Sequence, residues 1–212
     1  MSATYPVQPS GARRAVAIAV GRLPTHCRHS GLVRSRSVNS ETTPPSPLAA
    51  LFEPMIGLPA WGVRQGHGSF LTFEFGEPKL EVSERESKRG LVRSAYVQGF
   101  WHLWIYCCHW RVFQDGAELA WSEDSNETIR RATATLNGQK LLAVSVDAVQ
   151  GGSTFTFDLG GSLVTWPYGD DPTEEQWTVI NDGKAFAVRA DGYYRHDPVD
   201  AVPNQERWLT LP

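Results

Sequence analysis

From Trp61 onward apolar and polar side chains alternate with a period of two, the pattern of strands that feed a core from one face. "SFLTFEFGE" puts Phe70, Thr72 and Glu74 on one side and Leu71, Phe73 and Phe75 on the other. "KLEVSE" continues it, with Leu80 and Val82 inward and Glu81 and Ser83 outward, until the charged run "ERESKRG" (84–90) interrupts it as a solvated hairpin or loop. "WHLWIYCCHW" (101–110) is apolar on both faces, which predicts a central strand covered on both sides. Unbroken alternation there sets Trp101, Leu103, Ile105, Cys107 and His109 against His102, Trp104, Tyr106, Cys108 and Trp110.

Helical spacing occurs in two places. A short helix is predicted from Pro47 to Phe52, ended by Pro54 and Gly57. The stronger signal is at 125–136: Asp124 as N-cap, Glu127 completing the capping-box spacing, Ile129, Ala132 and Leu136 on one side, and Gly138 as the stop. The second half of the chain is a run of short apolar stretches separated by Gly151-Gly152, Gly160-Gly161, "GDDPTEE", Asn181-Asp182-Gly183 and Asp191-Gly192. Connections so short join only antiparallel neighbours. The predicted fold class is therefore α+β: a mainly antiparallel meander, able to curl into a half-barrel, with one helix at about 125–136 packed on it.

Charge divides the chain at the same place as its aromatic residues. Residues 1–40 hold six arginines and no acid, whereas the remaining residues hold 14 basic and 23 acidic groups, a net charge of −9. Tyr5 is the only aromatic residue among the first fifty. Such a segment cannot offset its ordering entropy by burial, so residues 1–46 are expected to be a disordered basic tail and linker, closed by "TTPPSP", and 47–212 a single β-rich domain. The tail's composition also matches transit peptides, and its charge suits a nucleic-acid or membrane surface, but an unstructured extension is the plainest account. No stretch is apolar enough for a membrane span. Three cysteines, two of them adjacent, do not make a disulfide framework, so a cytoplasmic location is expected. A −9 body repels phosphate, which directs the folded part away from nucleic acid and toward another protein, a basic one by preference.

The chemistry-bearing residues are sparse. Cys107 and His109 on one face, joined by His67, are too few for zinc, with no C-x-x-C or H-E-x-x-H beside them, so no metal and no cofactor is expected. A thiol in an apolar strand has its pKa raised and is a poor nucleophile, so no catalytic residue is assigned. "GHGSF" precedes a strand, unlike a nucleophile elbow, and reads as a turn or bulge. Eight tryptophans exceed ordinary usage; Trp104, Trp110 and Trp166 fall at core positions, and Trp61, Trp121 and Trp208 near segment ends.

"GLPAWGV", "GHGSFLTFEFG", "GFWHLWIYCCHW", "FDLGGSLVTWPYG" and "EEQW" together resemble a group of bacterial hypothetical proteins of this domain's length, over roughly residues 47–210. The resemblance implies no catalytic residues. In size and acidity alone the domain is also similar to toxin-neutralising immunity proteins. Two functional readings follow. The first is a non-enzymatic protein-binding module, with Asp170, Asp171, Glu174 and Glu175 as partner-binding candidates. The alternative is a small-molecule pocket in a curved sheet, open to enzymatic use, with His67, His102, Cys108, Trp61 and Trp121 as ligand-binding candidates.

Overall fold

The computed structural model describes residues 46–169, 171–202 and 206–212. Residues 1–45 of the expected tail, with Cys27, and the partner candidate Asp170 lie outside the described residues. Helix α1 (Pro47–Phe52) starts where the Ser46 hydroxyl accepts a hydrogen bond from the Ala49 amide, with proline in the first turn where its missing N–H costs nothing. A 3-10 turn, Glu53–Met55, follows. Leu48, Phe52 and Met55 are driven into the core.

Among the described residues, twelve strands then form two antiparallel sheets. The strands are β1 (Trp61–Gln65), β2 (Leu71–Ser87), β3 (Gly90–Ile105), β4 (Cys108–Gln114), β5 (Ala117–Trp121), β6 (Leu141–Val146), β7 (Ser153–Phe157), β8 (Gly161–Pro167), β9 (Glu175–Asn181), β10 (Lys184–Arg189), β11 (Tyr193–Pro198) and β12 (Leu209–Thr210). The larger sheet has the order β1-β2-β3-β9-β10-β11-β12 and the smaller β5-β4-β8-β7-β6. The protein is thus α+β with mainly antiparallel sheet, as the alternation predicts, built as two layers and not a half-barrel.

The layers meet through aromatic side chains. Phe73 of the larger sheet stacks on Phe157 of the smaller at 6.2 Å, and Phe52 of α1 wedges between Phe155 (6.1 Å) and Trp177 (5.7 Å). Buried Trp177 satisfies its indole N–H on the Ser153 hydroxyl at 2.9 Å, as a buried ring with a polar edge requires. Helix α2 (Asn126–Leu136) packs its Ile129, Ala132 and Leu136 face against β1, β4 and β5, so it joins the two sheets along one side.

Three expectations are corrected. Ser125, not Asp124, caps α2, accepting from the Thr128 amide; the Asp124 carboxylate is taken up one turn earlier by the Trp121 amide at 3.0 Å. "WHLWIYCCHW" is not one strand: it ends β3, crosses at Tyr106-Cys107, and begins β4 in the other sheet. Cys107 adopts φ 49°, which slips the alternation by one residue, so Cys108, Trp110 and Val112 join Leu103 and Ile105 in the core. Trp104 is consequently 37% exposed on the outer face of the larger sheet, whereas Trp110 is buried. Finally, Leu80 and Val82 do not face inward to a core; they lie on a projecting hairpin described below.

At one end the two sheets are clipped by reciprocal backbone contacts. A Cβ on Gly151 (φ 68°), in the β6–β7 loop, would sit 2.0 Å from the Ala190 carbonyl oxygen, and one on Gly192 (φ 77°) 2.2 Å from that of Ala148. Only glycine tolerates both the left-handed backbone and this approach. Gly151→Ala is expected to lower stability by about 2–4 kcal/mol in urea unfolding, combining overpacking with backbone strain.

Candidate functional site

Strands β2 and β3 are three times the usual length and outrun the rest of their sheet. Every residue from Glu77 to Val97 is exposed, so this part of the hairpin is a two-stranded arm about 30 Å long. Cross-strand register decides its faces. Leu80 pairs with Val97, Val82 with Ala95, Glu84 with Arg93 and Glu86 with Leu91 on one face; the other carries Lys79 with Gln98, Glu81 with Tyr96, Ser83 with Ser94 and Arg85 with Val92. The first face is the apolar one, and Leu80 (70% exposed), Val82 (53%), Leu91 (61%) and Val97 (50%) stand on it in water.

That face is the core face carried onward. Along β3 the odd-numbered residues Ile105, Leu103 and Trp101 point toward the smaller sheet, and Val97, Ala95 and Leu91 continue the same parity. Strand β2 reaches it through a bulge between Phe75 and Pro78, whose extra residue switches the inward set from Phe73 and Phe75 to Leu80 and Val82. Gly99 faces the bulge, where a Cβ would lie 2.7 Å from the Phe75 carbonyl oxygen and 2.8 Å from its nitrogen.

A buried carboxylate holds the arm's base. Glu74 accepts from the Gly99 amide at 2.9 Å through Oε2 and contacts His102 Nδ1 at 2.8 Å through Oε1. Trp61 Nε1 donates to the Gly76 carbonyl at 3.0 Å, and the Trp101 ring covers Gly76. A charge with both oxygens bonded is tolerated in the interior where an unpaired one is not.

Trp101 also forms part of an open groove of about 550 Å³ between α1 and the inner face of β9, β10 and β11. Its floor is Trp101, Phe186 and Tyr194, the last two stacked at 5.1 Å, and its wall is Ala50, Leu51 and Pro54. Asp182, Lys184, His196, Asp197 and Arg207 supply both signs of charge at its margin. Groove and arm therefore make one continuous surface with Trp101 at the junction.

The ligand-binding candidates are scattered by comparison. Trp61 and His102 meet at the arm base, flanking Glu74 in the register β1-β2-β3. Cys108 is buried in the core with its thiol on the Gln176 carbonyl at 3.5 Å, so it shares no cavity with His102 on the outer face. His67 is exposed in the β1–β2 turn beside Phe70. Trp121 ends β5 next to His109, whose Nδ1 faces Ser122 Oγ (3.3 Å) and Glu123 Oε1 (3.7 Å), with Trp166 and Tyr168 around the ring. A hydroxyl and a carboxylate on the same ring nitrogen are not a triad, which uses opposite nitrogens.

Of the partner candidates, Glu175 is engaged within the protein, accepting from Tyr106 OH and pairing with Arg195 at 3.1 Å. Asp171 is exposed and accepts from the Thr173 hydroxyl and amide, each at 2.7 Å, which holds its carboxyl below the usual range. Glu174 is half-buried beside it. Among the described residues no three His, Cys, Asp or Glu side chains gather as metal ligands. The groove residues and the exposed Leu80 and Val97 were not legible as a site, because their pattern is that of ordinary core strands.

Comparison with family models, with curated proteins and with solved structures finds no match to the chain.

Two predictions follow from the geometry. Burial pushes the Cys108 thiol far up, and burial together with Glu174 and Glu175 raises that of Cys107. Since the thiolate is the nucleophile, Cys107 should alkylate more slowly than a free thiol at neutral pH, with a rate that climbs through pH 9, and Cys108 should react only on unfolding. Glu74→Ala leaves the Gly99 amide buried without a partner and should cost about 2–4 kcal/mol, with amide exchange accelerating first in residues 77–98.

Proposed function

We propose that the protein is a non-enzymatic binding module that engages another protein chain through the apolar face of the β2–β3 arm, anchored at the groove behind Trp101. The observation that carries this reading is the exposure of Leu80, Val82, Leu91 and Val97 together on the hairpin face that continues the core. Each such side chain, once covered, contributes about 1.5–3 kcal/mol of burial free energy, and an extended apolar ribbon left in water marks an interaction site. The reverse face is mainly polar, with Lys79, Glu81, Ser83, Arg85, Ser94 and Gln98 beside the less exposed Tyr96 and Val92, which suits a ribbon covered chiefly from one side.

The surroundings agree with binding in place of chemistry. Cys107 and Cys108 are both held as thiols, His102 is committed to Glu74, Asp171 is bonded by Thr173, and Glu175 by Tyr106 and Arg195. Aromatic floor and charged margin in the groove match the anatomy of a contact surface with an anchoring pocket.

A photo-crosslinking amino acid placed at Leu80 or Val97 in the 212-residue chain should yield protein-sized adducts in the source cell. The same probe at Val149, 85% exposed but away from the arm, should not. Equal adduct formation at all three positions would remove the arm from the binding account.

A further inference from the structure

Resting on the reading of the arm as a binding surface, we infer that its occupant is a second copy of this chain, in a reciprocal exchange where each arm lies along the other and reaches the other's groove. Charge supports this choice. The arm, Glu77–Gln98, carries five basic residues (Lys79, Arg85, Lys88, Arg89, Arg93) and four acidic ones (Glu77, Glu81, Glu84, Glu86), net +1. The rest of residues 46–212 carries nine basic and eighteen acidic groups, net −9. Two bodies of −9 repel unless something of the other sign stands between them, and the cationic end of the arm is the part of this domain that supplies it.

The apolar face is also self-complementary, as a two-fold interface demands. From base to tip it presents Leu80 with Val97, Val82 with Ala95, the Glu84–Arg93 ion pair (2.6 Å), then Glu86 with Leu91. Antiparallel overlap of two such faces lays Leu91 of one copy over Leu80 and Val97 of the other. Val82 and Ala95 then meet the aliphatic stems of Glu84 and Arg93, so apolar area is covered without stripping either charge of its partner. The same overlap carries the tip, Lys88 and Arg89, past Gly99 to the groove behind the other copy's Trp101. That margin offers Asp182 and Asp197 as acceptors for the tip, beside Lys184 and Arg207. Both copies thereby gain an apolar cover for the arm and a charged closure for the groove.

Sedimentation of the 212-residue chain across micromolar concentrations tests this, together with crosslinking from position 80 in a mixture of ¹⁴N- and ¹⁵N-labelled chains. The expected species has twice the 23.5 kDa chain mass, with crosslinks joining light to heavy chains between the arm and the arm or groove. Leu80→Glu with Val97→Lys should give a monomer that still unfolds in one cooperative transition, because both side chains are solvated in one copy and the new cross-strand pair carries opposite charges. Lys88→Glu with Arg89→Glu should weaken association about tenfold or more. A monomer whose arm crosslinks to a different protein overturns self-pairing and leaves the binding reading standing. Crosslinks only to residues 1–45 of the same chain also overturn self-pairing. A monomer with no arm adducts overturns both, and a dimer indifferent to the arm substitutions overturns the arm as its interface.

Discussion

At Cys107 the backbone turns left-handed and the alternation of side chains slips by one residue, and the two-layer structure depends on that slip. A strand supplies a core from only one face. Had the alternation run unbroken from Trp101 to Trp110, either Leu103 and Ile105 or Trp110 and Val112 would have faced water. The slip lets a single apolar segment finish one sheet and start the other, with both halves on the inside. Cys108 lands in the core as a small hydrophobe, and Trp110 reaches the Ser69 carbonyl at 2.7 Å to satisfy its indole N–H.

A second change of parity, the bulge between Phe75 and Pro78, has the opposite consequence. It keeps Leu80 and Val82 on the inward side after the smaller sheet has ended, so the protein builds a core face with no core over it. The cost of this device is concentrated in Glu74, a buried carboxylate whose two oxygens are bound by Gly99 and His102. Placing Glu74 there makes the bulge depend on the hydrogen bonds of one side chain.

Buried protons impose a further constraint. Tyr106 is raised well above its ordinary value, chiefly by burial and then by its bond to Glu175, and Cys108 is raised by burial. Both groups hold their protons more tightly folded than unfolded, so their contribution is intact below the ordinary thiol and phenol values and is lost as pH rises above roughly 9. The Tyr106–Glu175–Arg195 chain thus ties the crossover segment to β9 and β11 less firmly as the solution becomes strongly alkaline.

Much of the fold was written in local pattern. The antiparallel strands of the second half, both helices and the "ERESKRG" hairpin follow from period, capping residues and short glycine-bearing turns, because each of these is settled by neighbours within a few positions. What alternation cannot convey is where a sheet stops being covered. Leu80, Val82 and Val97 have the same pattern as Phe73 and Leu103, and only the finite extent of the smaller sheet makes the first three exposed and the last two buried. Nor could spacing place His102 against Glu74 or Trp101 beside Phe186, since these neighbours are brought together by strand pairing and by α1 packing across the sheet. The sequence by itself determined most of the elements, their antiparallel pairing and the division of charge between a basic segment and an acidic remainder; the tertiary structure alone decided which inward faces meet a partner within the chain and which remain open, because burial is a property of what lies opposite and not of the residue itself.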